Sequence, residues 1–292
     1  MLIIDEQGNE ISAITAGRVY HGMKPIPGDH AYAVRVGDQV LVEEILPRRG
    51  ILQRPSPLGR STQIIAANVD RVLVMVSLKN PRFSAGFVNR ALVSAEWRKL
   101  PATIVLNKMD LCKVDTDRSL KKKILTVYGQ DGADYPVFPV SCETGSGTDL
   151  LLQHIKGATV VMTGPSGSGK TSLAKYYNPS LDLKIGGLNL KTSKGKHTTV
   201  SAQLVLLEEK TTLIDTPGLR MFSIENIPKN ELQFCFPEFL PFIGKCRFRD
   251  CIHMSEPGCA VKSASENGTV HMDRYNAYRK FIEEAESDRS GK

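Results

Sequence analysis

No run of apolar residues in this sequence is long enough to cross a bilayer, and no segment recurs at a fixed period, so neither a membrane-spanning nor a solenoid architecture is expected. The start, with Asp5 and Glu6, lacks the basic residues, apolar core and small-residue cleavage site of a secretory leader. Cysteine is scarce, six residues in 292, and three of the six fall between Cys246 and Cys259. That clustering fits reduced thiols around one metal and not a disulfide framework, so a cytoplasmic protein without a membrane partner is expected. What is present is a basic excess: 38 Lys and Arg against 31 Asp and Glu, net +7. The excess suits two or three small domains facing a polyanion, although basic residues on solvated surfaces are common enough that charge alone names no partner.

The texture of the chain changes twice. Over the first 60 or so residues, short alternating stretches, 15–20, 30–36 and 39–46, are broken by turns at Pro27-Gly28-Asp29 and Gly37-Asp38, which predicts a small antiparallel barrel. A segment over 47–63 with Arg48, Arg49, Arg54, Arg60, Pro55 and Pro57 has too little apolar periodicity for a packed element and reads as a linker. From Val69, β-branched runs at 69–76, 102–106, 137–140 and 158–163 are separated by helical stretches such as 87–99, predicting a mostly parallel sheet with helices on both faces. After Phe222 come aromatics, a Cys/His cluster and a closing helix over 273–285, with Tyr275, Tyr278 and Ile282 on one side. The expected domains are 1–62, a barrel plus linker; 63–222, an α/β nucleotide domain; and 223–292, a largely helical metal-binding domain.

The strongest motif is Gly164-Pro165-Ser166-Gly167-Ser168-Gly169-Lys170-Thr171, followed by Ser172, placed between an expected strand and an expected helix. Its glycines let the backbone wrap a phosphate, and its amides and the helix N-terminus supply fixed positive dipoles. Lys170 adds a charge at the β- and γ-phosphates, and the Thr171 hydroxyl can ligate Mg²⁺. Asn107-Lys108-Met109-Asp110, at the end of a strand, selects the base: the Asp110 carboxylate can accept from the ring N–H and the exocyclic amine of guanine, a donor pair adenine lacks. Lys108 would cover the base plane. Ser141-Cys142-Glu143-Thr144-Gly145 offers a backbone N–H to the guanine carbonyl, and Asp215-Thr216-Pro217-Gly218 places Asp215 to hold Mg²⁺ and the Gly218 amide to sense the γ-phosphate. GTP and GDP are therefore the expected ligands.

In ordinary GTPases the phosphate loop comes first and the base loops last; here 107–110 and 141–145 precede 164, so the domain is circularly permuted. An open parallel sheet tolerates this, because its ligands are held by loops at strand ends wherever the termini fall. Past the sheet, Cys246, Cys251, His253 and Cys259 supply three thiolates and an imidazole, enough for one closed, structural zinc site. Lys245, Arg247 and Arg249 interleave with Phe242 and Phe248 around the first ligand; the basic residues suit RNA, and the aromatics suit either stacking or a small core.

This permuted order, the barrel before it and the Cys/His cluster after it closely resemble the small-subunit ribosome-biogenesis GTPases, the RsgA/YjeQ family, over nearly the whole chain. Arg54-Pro55, Ile65-Ala66-Ala67-Asn68-Val69-Asp70 and Gly195-Lys196-His197-Thr198-Thr199 are further matches. The resemblance implies an OB-fold barrel, a permuted GTPase and a zinc domain that binds the 30S subunit and its 16S rRNA late in maturation, hydrolysing GTP under stimulation by that particle. Cys142 stands where a small residue is usual, and Lys196 where Arg is common. Leu219 occupies the place where many GTPases carry a water-orienting Gln, so intrinsic hydrolysis should be slow. The resemblance gives His197 the catalytic task once the partner orders the first switch, beside Lys170; a solvated histidine that contacts the partner is the competing reading. Thr199 is expected to ligate Mg²⁺ with Thr171 and Asp215, with Thr198 as the other candidate hydroxyl. A monomer is expected. The competing functions are an RNA-binding zinc protein whose nucleotide site turns over little, and a P-loop ATPase or kinase, which would leave Asn107 and Asp110 without a task.

Overall fold

A computed structural model describes residues 1–5, 9–17, 24–55, 62–179, 203–207, 210–215, 224 and 227–290. They sort into two compact units, one of Met1–Val72, Leu150–Thr163 and Gly169–Met221, the other of Leu73–Asp149, Gly164–Ser168 and Phe222–Lys292.

In the first unit, β1 (Leu2–Ile4), β2 (Glu10–Thr15), β3 (Ala31–Val36) and β4 (Gln39–Ile45) form a curled half-barrel sheet in the order β1-β2-β4-β3. Its β3–β4 hairpin turns at Gly37, whose φ of +60° suits glycine. The β2–β4 pairing is parallel, a local departure from the antiparallel alternation that short strands with tight turns suggest. A strand at Glu10–Thr15 ends where the one expected at 15–20 begins, and residues 18–20 of that expectation lie outside the described residues.

The stretch read as a linker contributes structure. Within it, β5 (Leu52–Pro55) pairs antiparallel with β6 (Thr62–Ala66), and Leu52 is fully buried. Side-chain bonds replace the missing apolar periodicity: Arg48 Nε donates to Asp29 Oδ1 at 2.7 Å, Arg49 N to Asn68 Oδ1 at 2.8 Å, and Asn68 Nδ2 to the Gly28 carbonyl at 2.8 Å. Gly28, at φ +87°, lies so close to the chain that a Cβ would sit 2.2 Å from the Ala67 carbonyl oxygen, so only glycine fits this turn.

The central sheet has the order β11-β12-β10-β7-β8-β9, with β7 (Arg71–Ser77), β8 (Ala102–Asn107), β9 (Val137–Pro139), β10 (Thr159–Thr163), β11 (Gln203–Leu206) and β12 (Thr212–Asp215). The pairs β8–β9 and β10–β12 are parallel, and the edge pair β11–β12 is antiparallel. Every residue of β8, and all of β7 after Arg71, is buried, as strands covered on both faces require. Four helices follow strands or loops of this sheet: α1 (Ala85–Trp97), α2 (Asp115–Tyr128), α3 (Thr148–Ile155) and α4 (Lys170–Tyr177). Ser84 caps α1 by accepting from Phe87 N.

The C-terminal region, in the second unit, has two short 3-10 turns at Leu232–Cys235 and Pro237–Phe239, then α5 (Ala260–Glu266) and α6 (Met272–Ser290). Tyr275, Tyr278 and Ile282 are buried together, with Phe236, Phe239 and Phe281, in a core that also takes in Val93 of α1. Arg274, wholly buried, is what makes this core polar at one point: it donates to Glu238 Oε1 at 2.5 Å and to Asn89 Oδ1 at 2.8 Å, under the Phe236 ring at 4.6 Å. A buried guanidinium persists because carboxylate, amide and ring replace its water. Arg90 to Glu284 at 2.9 Å and Lys123 to Asp273 at 2.7 Å add ion pairs from α1 and α2 to α6. No helix among the described residues is long and apolar enough to cross a membrane.

Candidate nucleotide site and metal centre

The base-recognition candidates sit where a parallel sheet presents its loops, beyond the C-terminal ends of β8 and β9. Asn107 closes β8 and is 2 % exposed; its amide serves as a hub. Nδ2 donates to the Ser168 carbonyl at 3.0 Å, while Oδ1 accepts from Lys108 N at 2.7 Å and more distantly from Cys142 N at 3.4 Å. One side chain thus fastens the 107–110 and 141–145 loops to the phosphate loop, all within the second unit. The Ser141 hydroxyl donates to Asp110 Oδ1 at 2.6 Å and accepts from Thr144 N at 3.2 Å, which fixes the carboxylate's plane. Met109 N bonds the Val140 carbonyl at 3.1 Å, locking the two loops backbone to backbone. Burial pushes the Cys142 thiol up to about 11, so it stays neutral and leaves the backbone N–H of this loop as its polar contribution.

The phosphate loop follows β10. A Cβ on Gly164 would meet the Met75 carbonyl oxygen at 2.3 Å and Ser168 Oγ at 2.6 Å, so the first glycine of the motif is required by the strand beside it. Gly167 at φ +79° and Gly169 at φ +98° give the left-handed steps of the loop. Ser166 is exposed, Pro165 half-buried, and Ser168 buried with no hydrogen-bond partner for its hydroxyl among the described residues. Lys170, Thr171 and Ser172 open α4.

In the first unit, Asp215 ends β12. Burial raises its carboxyl pKa, and the positive charge of Lys170 opposes the rise; burial likewise lowers the Lys170 ammonium, against the pull of Asp215. Asp215 Oδ1 is buried with no hydrogen-bond partner among the described residues. A desolvated carboxylate oxygen of this kind fits a divalent cation, which takes oxygen ligands. His197, Thr198, Thr199, Gly218 and Leu219 lie outside the described residues.

The Cys/His cluster comes together as the spacing predicted. Cys246, Cys251, His253 and Cys259 hold their ligand atoms within 4.8 Å of one another. His253 Nδ1 lies 3.5, 3.4 and 3.3 Å from the three sulfurs in that order, and Cys246 Sγ is 4.0 Å from Cys259 Sγ. A tetrahedral ion with sulfur at ~2.3 Å has edges of about 3.5–3.8 Å, so the four groups fit a closed metal site. Burial keeps the His253 imidazole below its ordinary pKa, against the pull of Glu256, which favours the neutral ring a metal requires.

Two supporting residues carry no sequence signal. Gln233 Oε1, 2.9 Å from His253 Nε2, fixes the tautomer in which Nδ1 faces the sulfurs. Glu256 accepts from Ile252, Met254 and Ser255 N at 2.7, 2.8 and 3.0 Å, and these amides outweigh burial to keep it ionised. Cys259 Sγ also accepts from Lys262 N, so a metal ligand caps α5. The two aromatics left open by the sequence part company: Phe242 packs against the C-terminal core, whereas Phe248 is 42 % exposed with the Arg247 guanidinium 5.6 Å from its ring centre.

Set beside known proteins, residues 45–225 match the profile of a family described as RsgA GTPase. The chain belongs to the RsgA GTPase family. A Gemmatimonas aurantiaca protein called small ribosomal subunit biogenesis GTPase RsgA is 37 % identical over 290 residues, covering 97 % of this chain and 92 % of that one. A Shewanella oneidensis protein of the same name is 36 % identical over 249 residues, covering 85 % and 69 %. Among solved structures, YjeQ from Thermotoga maritima superposes with a TM-score of 0.76 at 32 % identity, covering 96 % and 92 %. YloQ, described as a circularly permuted GTPase, gives 0.75 at 26 % identity, covering 98 % and 91 %. The family accounts for the motif order, with base loops ahead of the phosphate loop, and makes this chain a GTPase.

Proposed function

We propose that this chain is a cytoplasmic, monomeric GTPase that binds the small ribosomal subunit through its 16S rRNA late in maturation and hydrolyses GTP to GDP and phosphate when that particle stimulates it. The observation that carries the reading is the Asn107 amide bonding the Ser168 carbonyl, which ties base loop to phosphate loop in a chain whose relatives are named for small-subunit biogenesis.

In this reading Asp110, oriented by Ser141, accepts from the two guanine N–H groups, the Cys142 amide donates to the guanine carbonyl oxygen, and Lys108 covers the base. The amides of 164–169 and the Lys170 ammonium bear the β- and γ-phosphates, with Ser172 at the start of α4 beside them. Bound Mg²⁺ would neutralise phosphate charge; Thr171, Thr199 and Asp215 would hold it, and the Gly218 amide would report the γ-phosphate. His197 orients the attacking water when the particle is bound. The metal in the Cys246 cluster is zinc and structural, since all four ligand positions come from the protein. The exposed Lys245, Arg247, Phe248 and Arg249 of the knuckle face rRNA, and the domain boundaries fall near 62 and 222.

The test is hydrolysis of GTP and ATP side by side, with and without purified 30S particles, in wild type and Lys170→Ala. GTP-selective turnover raised by 30S and lost in the variant supports the proposal; turnover indifferent to 30S overturns its ribosomal part.

A further inference from the structure

The loop after β7 carries an ion pair that the nucleotide motifs do not account for. Lys79 Nζ donates to Asp117 Oδ2 at 2.8 Å. Asp117 lies in the first turn of α2, buried, and the same oxygen accepts from Lys113 N at 3.2 Å and Val114 N at 3.3 Å. The Lys79 bond is the main cause of a carboxyl held below the ordinary aspartate range; burial opposes it and the two amides assist. The pair therefore ties the 78–81 loop to the start of the helix that follows Asn107–Asp110.

The next residue faces the site. The Asn80 carbonyl oxygen accepts from Lys108 Nζ. Asn80 (φ +50°) and Lys108 (φ +63°) both have left-handed backbones, which non-glycine residues hold only where their surroundings over-determine them. Ser77 Oγ donates to the Pro81 carbonyl at 2.8 Å, and Pro81 Cδ lies 3.8 Å from where a Cβ on Gly167 would be. The loop thus abuts the phosphate loop as well as Lys108.

A lysine stem has four rotatable bonds, and ordering it on binding costs entropy that an anchored ammonium has already lost. We propose that Lys79 is a positioning residue for guanine recognition: bonded to Asp117, it holds the Asn80 carbonyl where that oxygen captures the Lys108 ammonium and lays the Lys108 stem along the base. This rests on the reading of 107–110 as the guanine loop. Removing the Lys79 ammonium leaves Asp117 its two amides, so α2 keeps its first turn while Lys108 loses its fixed carbonyl. An arginine at 79 can still reach the carboxylate.

The experiment is titration of the full chain with GDP, ADP and inorganic tripolyphosphate, together with KM and kcat for GTP, in wild type, Lys79→Met, Lys79→Arg and Asp117→Asn. The expected result for Lys79→Met is a GDP Kd and a GTP KM raised about threefold to tenfold, with kcat and the tripolyphosphate Kd carrying none of that loss. Lys79→Arg should restore most of the affinity, and Asp117→Asn should repeat part of the loss. GDP affinity unchanged in Lys79→Met overturns the inference, as does an equal loss for GDP and tripolyphosphate, which would mark general loosening. A wild type that binds ADP as well as GDP brings down the guanine reading and this inference with it; a guanine-selective wild type with unaffected Lys79 variants brings down the inference alone.

Discussion

Polar side chains at the loop ends of the second unit are bonded to one another, whereas in the first unit burial weighs on the charged forms of Asp215 and Lys170. Asn107 bonds the Ser168 carbonyl and Ser141 bonds Asp110, while Cys246, Cys251, His253 and Cys259 face one another at ligand spacing with Gln233 bonded to His253 and Glu256 bracing the turn between them. Asp215 and Lys170 instead each carry a burial penalty on their charged form, and Asp215 Oδ1 has no hydrogen-bond partner among the described residues. The difference teaches a division of labour. In the proposed reading the guanine loops are organised before the ligand arrives, which would spare ordering entropy on binding, while the buried charges of Asp215 and Lys170 would meet Mg²⁺ and phosphate.

The largest effect expected is on the metal cluster. Structural zinc contributes about 10–16 kcal/mol of apparent binding free energy in small domains, so Cys251→Ser or a strong chelator should unfold the region beyond 227. Limited proteolysis and near-ultraviolet dichroism would register the loss, and an unaltered C-terminal region would break the proposal that the cluster holds a structural metal. Next, Lys170→Ala should lower single-turnover GTP hydrolysis by about 10²–10³-fold, the usual cost of one preorganised charge donor, while the GDP:ADP preference persists. Loss of base preference in that variant would show that the two sides are not separable.

A smaller effect is expected at Asp110. Asp110→Asn removes two charge-assisted acceptors and should weaken GTP binding roughly 10²-fold. It should also gain affinity for xanthine nucleotides, whose C2 carbonyl accepts from an amide, as competition binding would show.

The smallest effect is on pH dependence, where the two regions differ in sign. Asp117, held low by its Lys79 bond, contributes stability that is fully present above its unfolded pKa and is lost as pH falls through its lowered folded value. Asp215, held high by burial against Lys170, costs stability when ionised, and that cost disappears as pH falls through its raised folded value. Carboxyl-carbon NMR titration of the nucleotide-free chain should find Asp117 titrating below, and Asp215 above, the ordinary aspartate value; the reverse order would contradict the comparison.

Much of this was legible in the sequence because each motif residue performs its task through chemistry that needs that side chain at that spacing. The strand runs at 102–106 and 158–163 appear as β8 and β10 within a residue, and Tyr275, Tyr278 and Ile282 fall in the core as their helical spacing required. The β5–β6 hairpin was not legible, since Leu52 is a fully buried anchor set among Arg and Pro in the sequence, and the neighbouring turns are secured by Asn68 and Asp29 across sequence distance. Gln233 escaped for a similar reason: an outer partner of a metal ligand is chosen by geometry, and no spacing rule announces it. Lys79 and Asp117 are 38 positions apart and belong to no motif, so only the fold brings them together.

The most direct test of the division of labour is amide hydrogen exchange on the full chain, nucleotide-free and saturated with GDP and Mg²⁺. The account predicts that the amides of 107–110 and 141–145 are already protected in the free protein and change little, while those of 164–172 gain protection on binding. Base-loop amides that exchange freely until nucleotide arrives would contradict it.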